Sequence, residues 1–329
     1  MTVPAAPILA GGLAVVSLLL AAPVSAILAR ATWTRRAPRA ALVLWQCVCL
    51  SAGLCLIGAG FVIALQPLGD NLFDALTVWL DRLWSGRALI GMTGHGIITG
   101  TLSTAAALIL FGVLIRSTVL TVRRRRAHRM LLDLLTGDRD AGPRTGSTVP
   151  EIDDVLADIR ILDHSTAVAY TLPGWHSRVV LSAGLLDLLG RAELIAVIDH
   201  EKAHVRSRHD LLVLPFQAWG TAVGWLPGVR AAAESVAELT EMLADDWAAS
   251  RSSRATLAKA LATVALAGVP RTAGVTGSQT PAVASRSVAA RVDRLLHPRP
   301  LAMWALISVY VTALLLLALP TVALAVGWR

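Results

Sequence analysis

The sequence predicts a mainly α membrane protein, with four transmembrane helices and an α+β domain placed between the third and the last of them. Three observations predict it. Four stretches carry no charged residue: Pro7 to Leu28, Ala40 to Leu65, Gly96 to Ile115 and Pro300 to Trp328. Each can cross a hydrocarbon layer about 30 Å thick at a rise of about 1.5 Å per residue. After the third stretch the composition turns mixed and polar, with short β-rich runs beside helical periodicities. Within that region His200, Glu201 and His204 form the pattern H-E-x-x-H. The expected organisation is a membrane domain over 1–122 with spans at 7–28, 40–65 and 96–115, a second domain over 123–299, and a last transmembrane helix over 300–329.

Charge placement orients the chain. The net charge is +8, and the only lysines are Lys202 and Lys259. Arg30, Arg35, Arg36 and Arg39 fill the first connection, and Arg116, Arg123, Arg124, Arg125, Arg126 and Arg129 follow the third span. The second connection balances Asp70, Asp74 and Asp81 against Arg82 and Arg87. By the positive-inside rule the first and third connections are cytoplasmic, which puts the N-terminus and Arg329 outside. The four consecutive arginines could also be a nucleic-acid patch. Directly after a span they read as a topology signal and a contact for membrane lipid, so no direct nucleic-acid partner is expected. A cleaved signal ending near Val24-Ser25-Ala26 competes for the first span, but no Lys or Arg precedes the apolar run as a signal requires. Cys47, Cys49 and Cys55 all lie in the second span and read as small apolar residues, neither ligands nor disulfides.

The elements follow in order. Asp70 to Trp84 places Leu72, Leu76, Trp79, Leu80 and Leu83 on one helical stripe and is expected in the membrane interface. Met130 to Leu135 continues the third helix, Thr136 to Pro150 is a loop, and Glu151 to Arg160 is expected to be helical. Thr166 to Thr171 and Arg178 to Ser182 are β-rich runs around the turn chemistry of Leu-Pro-Gly-Trp-His, which predicts a hairpin or small sheet. Leu211 to Gly228 is uncharged, yet it holds Pro215, Gln217, Gly220, Gly224 and Pro227. It is read as buried or interfacial, because a single crossing would separate His200 from downstream ligands. Val264 to Ala284 contains a flexible tract around Gly274, and Ser285 to Leu296 is an amphipathic helix leading into the last span.

The chemistry starts from spacing. Residues four apart on a helix lie on one face about 6 Å apart, so His200 and His204 can converge on one metal while Glu201 reaches its water. Zinc in a hydrolase takes three protein ligands and leaves one position open. The x-x-G-x-x-H continuation is lacking, since Ser207 and Asp210 stand there. His209, five residues past His204, is assigned to another face as an ordinary surface or hydrogen-bonding histidine. The third ligand is sought on Ala233 to Ala249, where Glu234, Glu238, Glu241 and Asp245 form a carboxylate stripe. A solvated helix face would look the same. Only Glu241 heads an E-x-x-x-D pair, so it is the metal candidate, with Asp245 orienting a ligand imidazole through its second ring nitrogen.

Together H-E-K-A-H, R-S-R-H-D and E-M-L-A-D-D-W-A-A resemble the gluzincin branch of integral-membrane metallopeptidases, in which the Glu of E-x-x-A-D is the third zinc ligand. The pattern is most similar to the BlaR/MecR antirepressor family, whose peptidase domain also sits between the third and last spans. Leu181-Ser-Ala-Gly-Leu-Leu and Arg291-Val-Asp-Arg-Leu-Leu share the resemblance. It implies a cytoplasmic, gluzincin-like zinc endopeptidase in the cell membrane, with Zn2+ on His200, His204 and Glu241, Glu201 as general base and Asp245 behind the ligands. It implies a cytoplasmic winged-helix repressor as protein substrate. Strand Thr166 to Thr171 could align that substrate by edge pairing, and the stretch Arg291 to Arg299 resembles the region where relatives cut themselves. The best-known members add a penicillin-binding sensor with a Ser-x-x-Lys nucleophile. Here Asp199 and Thr256 stand three residues before the lysines, so that sensor chemistry is not expected. Two other readings remain open: a quality-control protease of the HtpX or prenyl-protease type, and a non-catalytic membrane receptor or scaffold.

Overall fold

A computed structural model describes residues 5–135, 159–172, 178–267 and 281–328. The expected loop at Thr136–Pro150, most of the expected helix from Glu151 and the tract around Gly274 lie outside the described residues. Over the described residues the protein is mainly helical, with four long apolar helices and a separate region of mixed helix and strand. It divides into two compact units, one made of Met1–Ile115, Ala218–Val236 and Leu301–Arg329, the other of Arg116–Gln217 and Ala237–Pro300.

In the first unit, helices α1 (Ala5–Arg30) and α2 (Pro38–Leu65) are long and apolar enough to cross a membrane. A shorter helix, α3 (Leu72–Trp84), separates them from α4 (Gly94–Leu135), whose Gly94–Arg124 portion also qualifies, as does the last helix, Met303–Val326. Pro23 lacks a backbone N–H, and around it α1 widens into a π turn over Leu20–Val24, where the Ser25 hydroxyl donates to the Leu20 carbonyl at 2.6 Å. Both α1 and the last helix pack on α2. Ser17 donates to Ala52 O at 2.9 Å and Ser51 donates to Leu316 O at 2.7 Å. Each such interhelical bond contributes roughly 1 kcal/mol in an apolar layer. Gly58 lets Leu324 close in, since a Cβ there would stand 2.9 Å from its Cδ1. Cys47, Cys49 and Cys55 are free thiols on α2.

Helix α3 starts at Asn71, whose side chain accepts from Asp74 N at 2.9 Å. The apolar stripe read from the sequence splits here. Leu72, Leu76 and Trp79 pack with Leu65, Leu68, Leu324 and Trp328 in a protein core, while Leu80 and Leu83 stay exposed beside Phe73 and Trp84.

The second unit holds a three-stranded sheet of order β1-β3-β2, with β1 (Ile159–Leu162) parallel to β3 (Arg178–Ser182) and β2 (Ala169–Leu172) antiparallel to it. The helix expected to run to Arg160 is therefore overturned at its end: Ile159 and Arg160 belong to a strand in register with Val179 and Val180. Tertiary pairing to the Val-Val-Leu of β3 overrides the local helical pattern. Ser182 closes β3 and caps α5 (Ala183–Leu188), its hydroxyl accepting from Leu185 N at 3.2 Å and Val168 N at 2.8 Å. Gly184 is required there, because a Cβ would stand 1.9 Å from Ser165 O.

Helix α6 (Arg191–Arg206) follows Gly190, whose N–H donates to the Glu193 carboxylate at 3.1 Å. Its Leu194 and Ile198 join Val179, Leu181, Leu185 and Ala260 in one core, so the helix is fixed against the sheet. The remaining helices are α7 (His209–Ala222), α8 (Pro227–Arg251), α9 (Arg254–Leu266), α10 (Pro281–Leu296) and, last, α11 (Met303–Val326). Ala196 of α6, Ala248 of α8, Leu257 and Ala258 of α9 and Leu295 of α10 make a second core. At 14 residues α7 is about 21 Å long, too short for a single crossing.

Candidate metal centre

The site is assembled from α6, α8 and α10 within the second unit. His200 and His204 lie one turn apart on α6, and their Nε2 atoms stand 3.3 Å from each other. Glu241, midway along α8, places Oε2 at 3.6 Å from His200 Nε2 and Oε1 at 3.5 Å from His204 Nε2. The three donor atoms lie within 4.8 Å of one another. Two ligand atoms held about 2.0–2.1 Å from a tetrahedral zinc are separated by about 3.3 Å, so two imidazole nitrogens and a carboxylate at these spacings fit such an ion. His200 is buried, while His204 and Glu241 are half-buried, which leaves one side of the cluster open.

Behind the donors, Asp245 sits one turn beyond Glu241 on α8 and is 1% exposed. Its Oδ1 is 3.0 Å from His200 Nδ1, an oblique approach that acts more as a charge contact than as an in-line hydrogen bond. Arg291 on α10 is fully buried and grips the same carboxylate with a two-pronged fork: Nε donates to Oδ2 at 2.7 Å and Nη2 to Oδ1 at 2.6 Å. Its Nη1 donates to Glu241 Oε2 at 2.9 Å. One guanidinium thus fixes both acidic side chains of the E-x-x-x-D pair, a geometry a lysine cannot reproduce.

The charges follow from this packing. Burial by itself would raise the Asp245 carboxyl, but Arg291 outweighs it and holds the group well below the carboxylate range. Burial also works against charge on His200, yet Asp245 and Glu241 prevail and push it up to about 9. His204 is lowered, first by burial. A metal would take the place of the proton on His200 Nε2 and leave the other on Nδ1, facing Asp245.

Residues 154–302 match peptidase family M48. The chain is similar to that family over this segment. No curated protein and no solved structure matches it. The matched segment makes up a little under half of the 329 residues and contains every side chain of the centre described above.

Within the matched segment the structure brings His200, His204, Glu241 and Asp245 together and sets Glu201 on the adjoining face of α6. The other acids of the α8 stripe, Glu234 and Glu238, are outside the three-donor group. Three further residues touch the centre. Thr171, on edge strand β2, places its hydroxyl 2.8 Å from Glu201 Oε2 and 3.1 Å from Glu201 O. His209, assigned to another face as a surface or hydrogen-bonding histidine, is buried and does hydrogen-bond, but on the face of the centre, with Nδ1 at 3.2 Å from His204 Nδ1. The helical projection fails because α6 ends at Arg206 and the chain turns through Arg208, whose φ of 47° lies in the left-handed region. His209 then begins α7 and folds back onto His204. Arg291 had a signal in the sequence, being an arginine on the apolar stripe of α10 between Val288 and Leu295, both buried.

Proposed function

We propose that the protein is a zinc endopeptidase of the cell membrane whose active site is the His200, His204 and Glu241 cluster. The observation that carries this reading is the convergence of those three donors, backed by Asp245, inside the segment that matches peptidase family M48. When bound there, zinc supplies Lewis-acid polarisation of a peptide carbonyl and a more acidic water. Glu201, steadied by the Thr171 hydroxyl, takes the proton of the attacking water and delivers it to the leaving amine. Asp245 keeps the His200 ring oriented, and Arg291 keeps Asp245 and Glu241 in place. Edge strand β2 offers backbone groups for pairing with an extended substrate. The arginines flanking α1 and α4 support a cytoplasm-facing site.

The BlaR/MecR resemblance supports signalling through cleavage of a cytoplasmic winged-helix repressor. A quality-control role of the HtpX or prenyl-protease type is the second reading, favoured by the packing of Trp219 on α4, where its indole N–H donates to Leu110 O at 3.2 Å. Following repressor fragments and damaged membrane proteins after induction separates the two; repressor that stays intact under every condition refutes the first. The enzyme reading itself is tested by metal analysis. Purified protein should hold about one zinc per chain, His204→Ala should lose it, and Glu201→Ala should keep it without turnover. Unmutated protein without zinc would overturn the proposal.

A further inference from the structure

We propose that Ala218–Val236 forms a re-entrant hairpin whose tip, carrying Trp225, is immersed in the hydrocarbon layer on the arginine-flanked side of the membrane. The segment belongs to the same compact unit as the spanning helices. Its two arms, the end of α7 and the start of α8, pack on each other, since a Cβ on Gly220 would stand 3.4 Å from Ala233 Cβ. They turn back without crossing.

Two contacts set the depth. The Trp219 indole donates to the Leu110 carbonyl in the middle of α4. Leu110 precedes Arg116, the first charge on that helix, by six residues, or about 9 Å. On the other side Gly228 presses against α1, where a Cβ would meet Ala21 O at 1.9 Å and Ser25 Cβ at 2.6 Å. Ala21 and Ser25 precede Arg30 by nine and five residues, about 13 and 8 Å. Both contacts therefore give the same depth from the same border.

The chemistry of the segment agrees with that depth. Between Asp210 and Arg230 no residue is charged, and Trp225 at the tip is 78% exposed to whatever surrounds the protein. Left in water, that ring and the apolar turn beside it would be an unfavourable exposure; in acyl chains it is not. Glu234 stands six residues beyond Gly228, about 9 Å back along α8, which returns it to the border. Arg230 lies between, exposed, with a stem long enough to carry its guanidinium up to the headgroups. None of this depends on the metal centre, so the inference stands or falls apart from the peptidase reading.

The test is nitroxide accessibility on the full chain in phospholipid vesicles. Cys47, Cys49 and Cys55 are replaced by alanine, and single labels are placed at Trp225→Cys and Thr221→Cys. Leu108→Cys on α4 serves as the lipid reference and Arg254→Cys as the water reference. The ratio of oxygen to nickel-chelate collisions at 225 and 221 should match Leu108→Cys and exceed that of Arg254→Cys several-fold. A ratio equal to the water reference at both positions overturns the proposal, and so does protection from both reagents, which would mean that protein covers the tip. The Thr221→Cys label keeps the test valid if loss of Trp225 perturbs folding.

Discussion

Replacing Arg291 with methionine should do more damage than removing any other side chain behind the metal site. The guanidinium is fully buried and makes three charge-assisted bonds, two to Asp245 and one to Glu241. Methionine fills much of the volume but leaves two carboxylates facing each other, one of them 1% exposed. Removing one partner of a buried ion network costs about 3–5 kcal/mol, because the remaining charge is left uncompensated. For a unit of this size each kcal/mol moves the Tm by about 2–4 °C, so the expected fall is about 6–20 °C. The assay is thermal unfolding in detergent with a chelator present, so that no ion substitutes for the lost cation. Arg291→Lys, which keeps the charge and loses the fork, should fall between. Adding Asp245→Asn to Arg291→Met should recover part of the loss, since it removes a stranded charge. A methionine variant as stable as the unmutated protein would refute the reasoning.

His209→Ala should weaken zinc binding about 10–100-fold in competition with a chelating dye, and His209→Asn should restore most of it by again accepting from His204 Nδ1; equal affinities in all three would reduce the contact to packing. Thr171→Val should lower kcat about tenfold with KM unchanged, and Thr171→Ser should retain the rate, because only the hydroxyl bond that positions Glu201 is lost. A change confined to KM would point to substrate contact instead. Lys259 at 2.6 Å and the Gly190 N–H hold Glu193 below its usual pKa, so its contribution to stability is present above the unfolded carboxylate range and disappears as pH falls through it. Because Lys259 is exposed to solvent, Glu193→Gln should lower Tm by only about 1–2 °C at pH 7, a difference that closes as the pH falls below the ordinary glutamate pKa of about 4.3 and through the lower folded one, when the two proteins are melted in parallel.

Much of this molecule can be read before it is folded, and the limits have physical causes. Uncharged runs near 20 residues or longer are legible because crossing a membrane depends on length and composition alone, and the four long apolar helices lie where those runs are. The proximity of His200 and His204 is legible because it depends only on helical pitch. Glu241 and Asp245 sit far along the chain and are singled out by the one E-x-x-x-D pair of the acidic stripe and by the resemblance, since no periodicity says which helix face meets another. Ile159 to Leu162 could not be read as a strand, because a parallel partner at Arg178–Ser182 is a tertiary fact. The hydrogen bonding of His209 is as read, but its face is not, because a single backbone turn at Arg208 cancels the angular arithmetic that a continuous helix would obey.

Arg291 connects these cases to the chemistry through charge. Around the centre, among the described residues, stand three carboxylates, Glu201, Glu241 and Asp245, against one permanent cation, Arg291, a formal sum of −2. Asp245 is buried while Glu241 is half-buried, and an excess of that size packed against buried groups is expensive to maintain. The protein alone reduces it by protonating His200, whose affinity for the proton is raised to about 9 by Asp245 and Glu241. A divalent ion on the three converging donors would bring the same sum to zero and return His200 to its neutral, ligating form. The fork on Asp245 matters in this balance because it removes one carboxylate from competition, leaving Glu241 as the acid that faces both imidazoles. Without Arg291 the two acids would share a proton or repel, and neither imidazole would be held in the ring orientation that a metal requires.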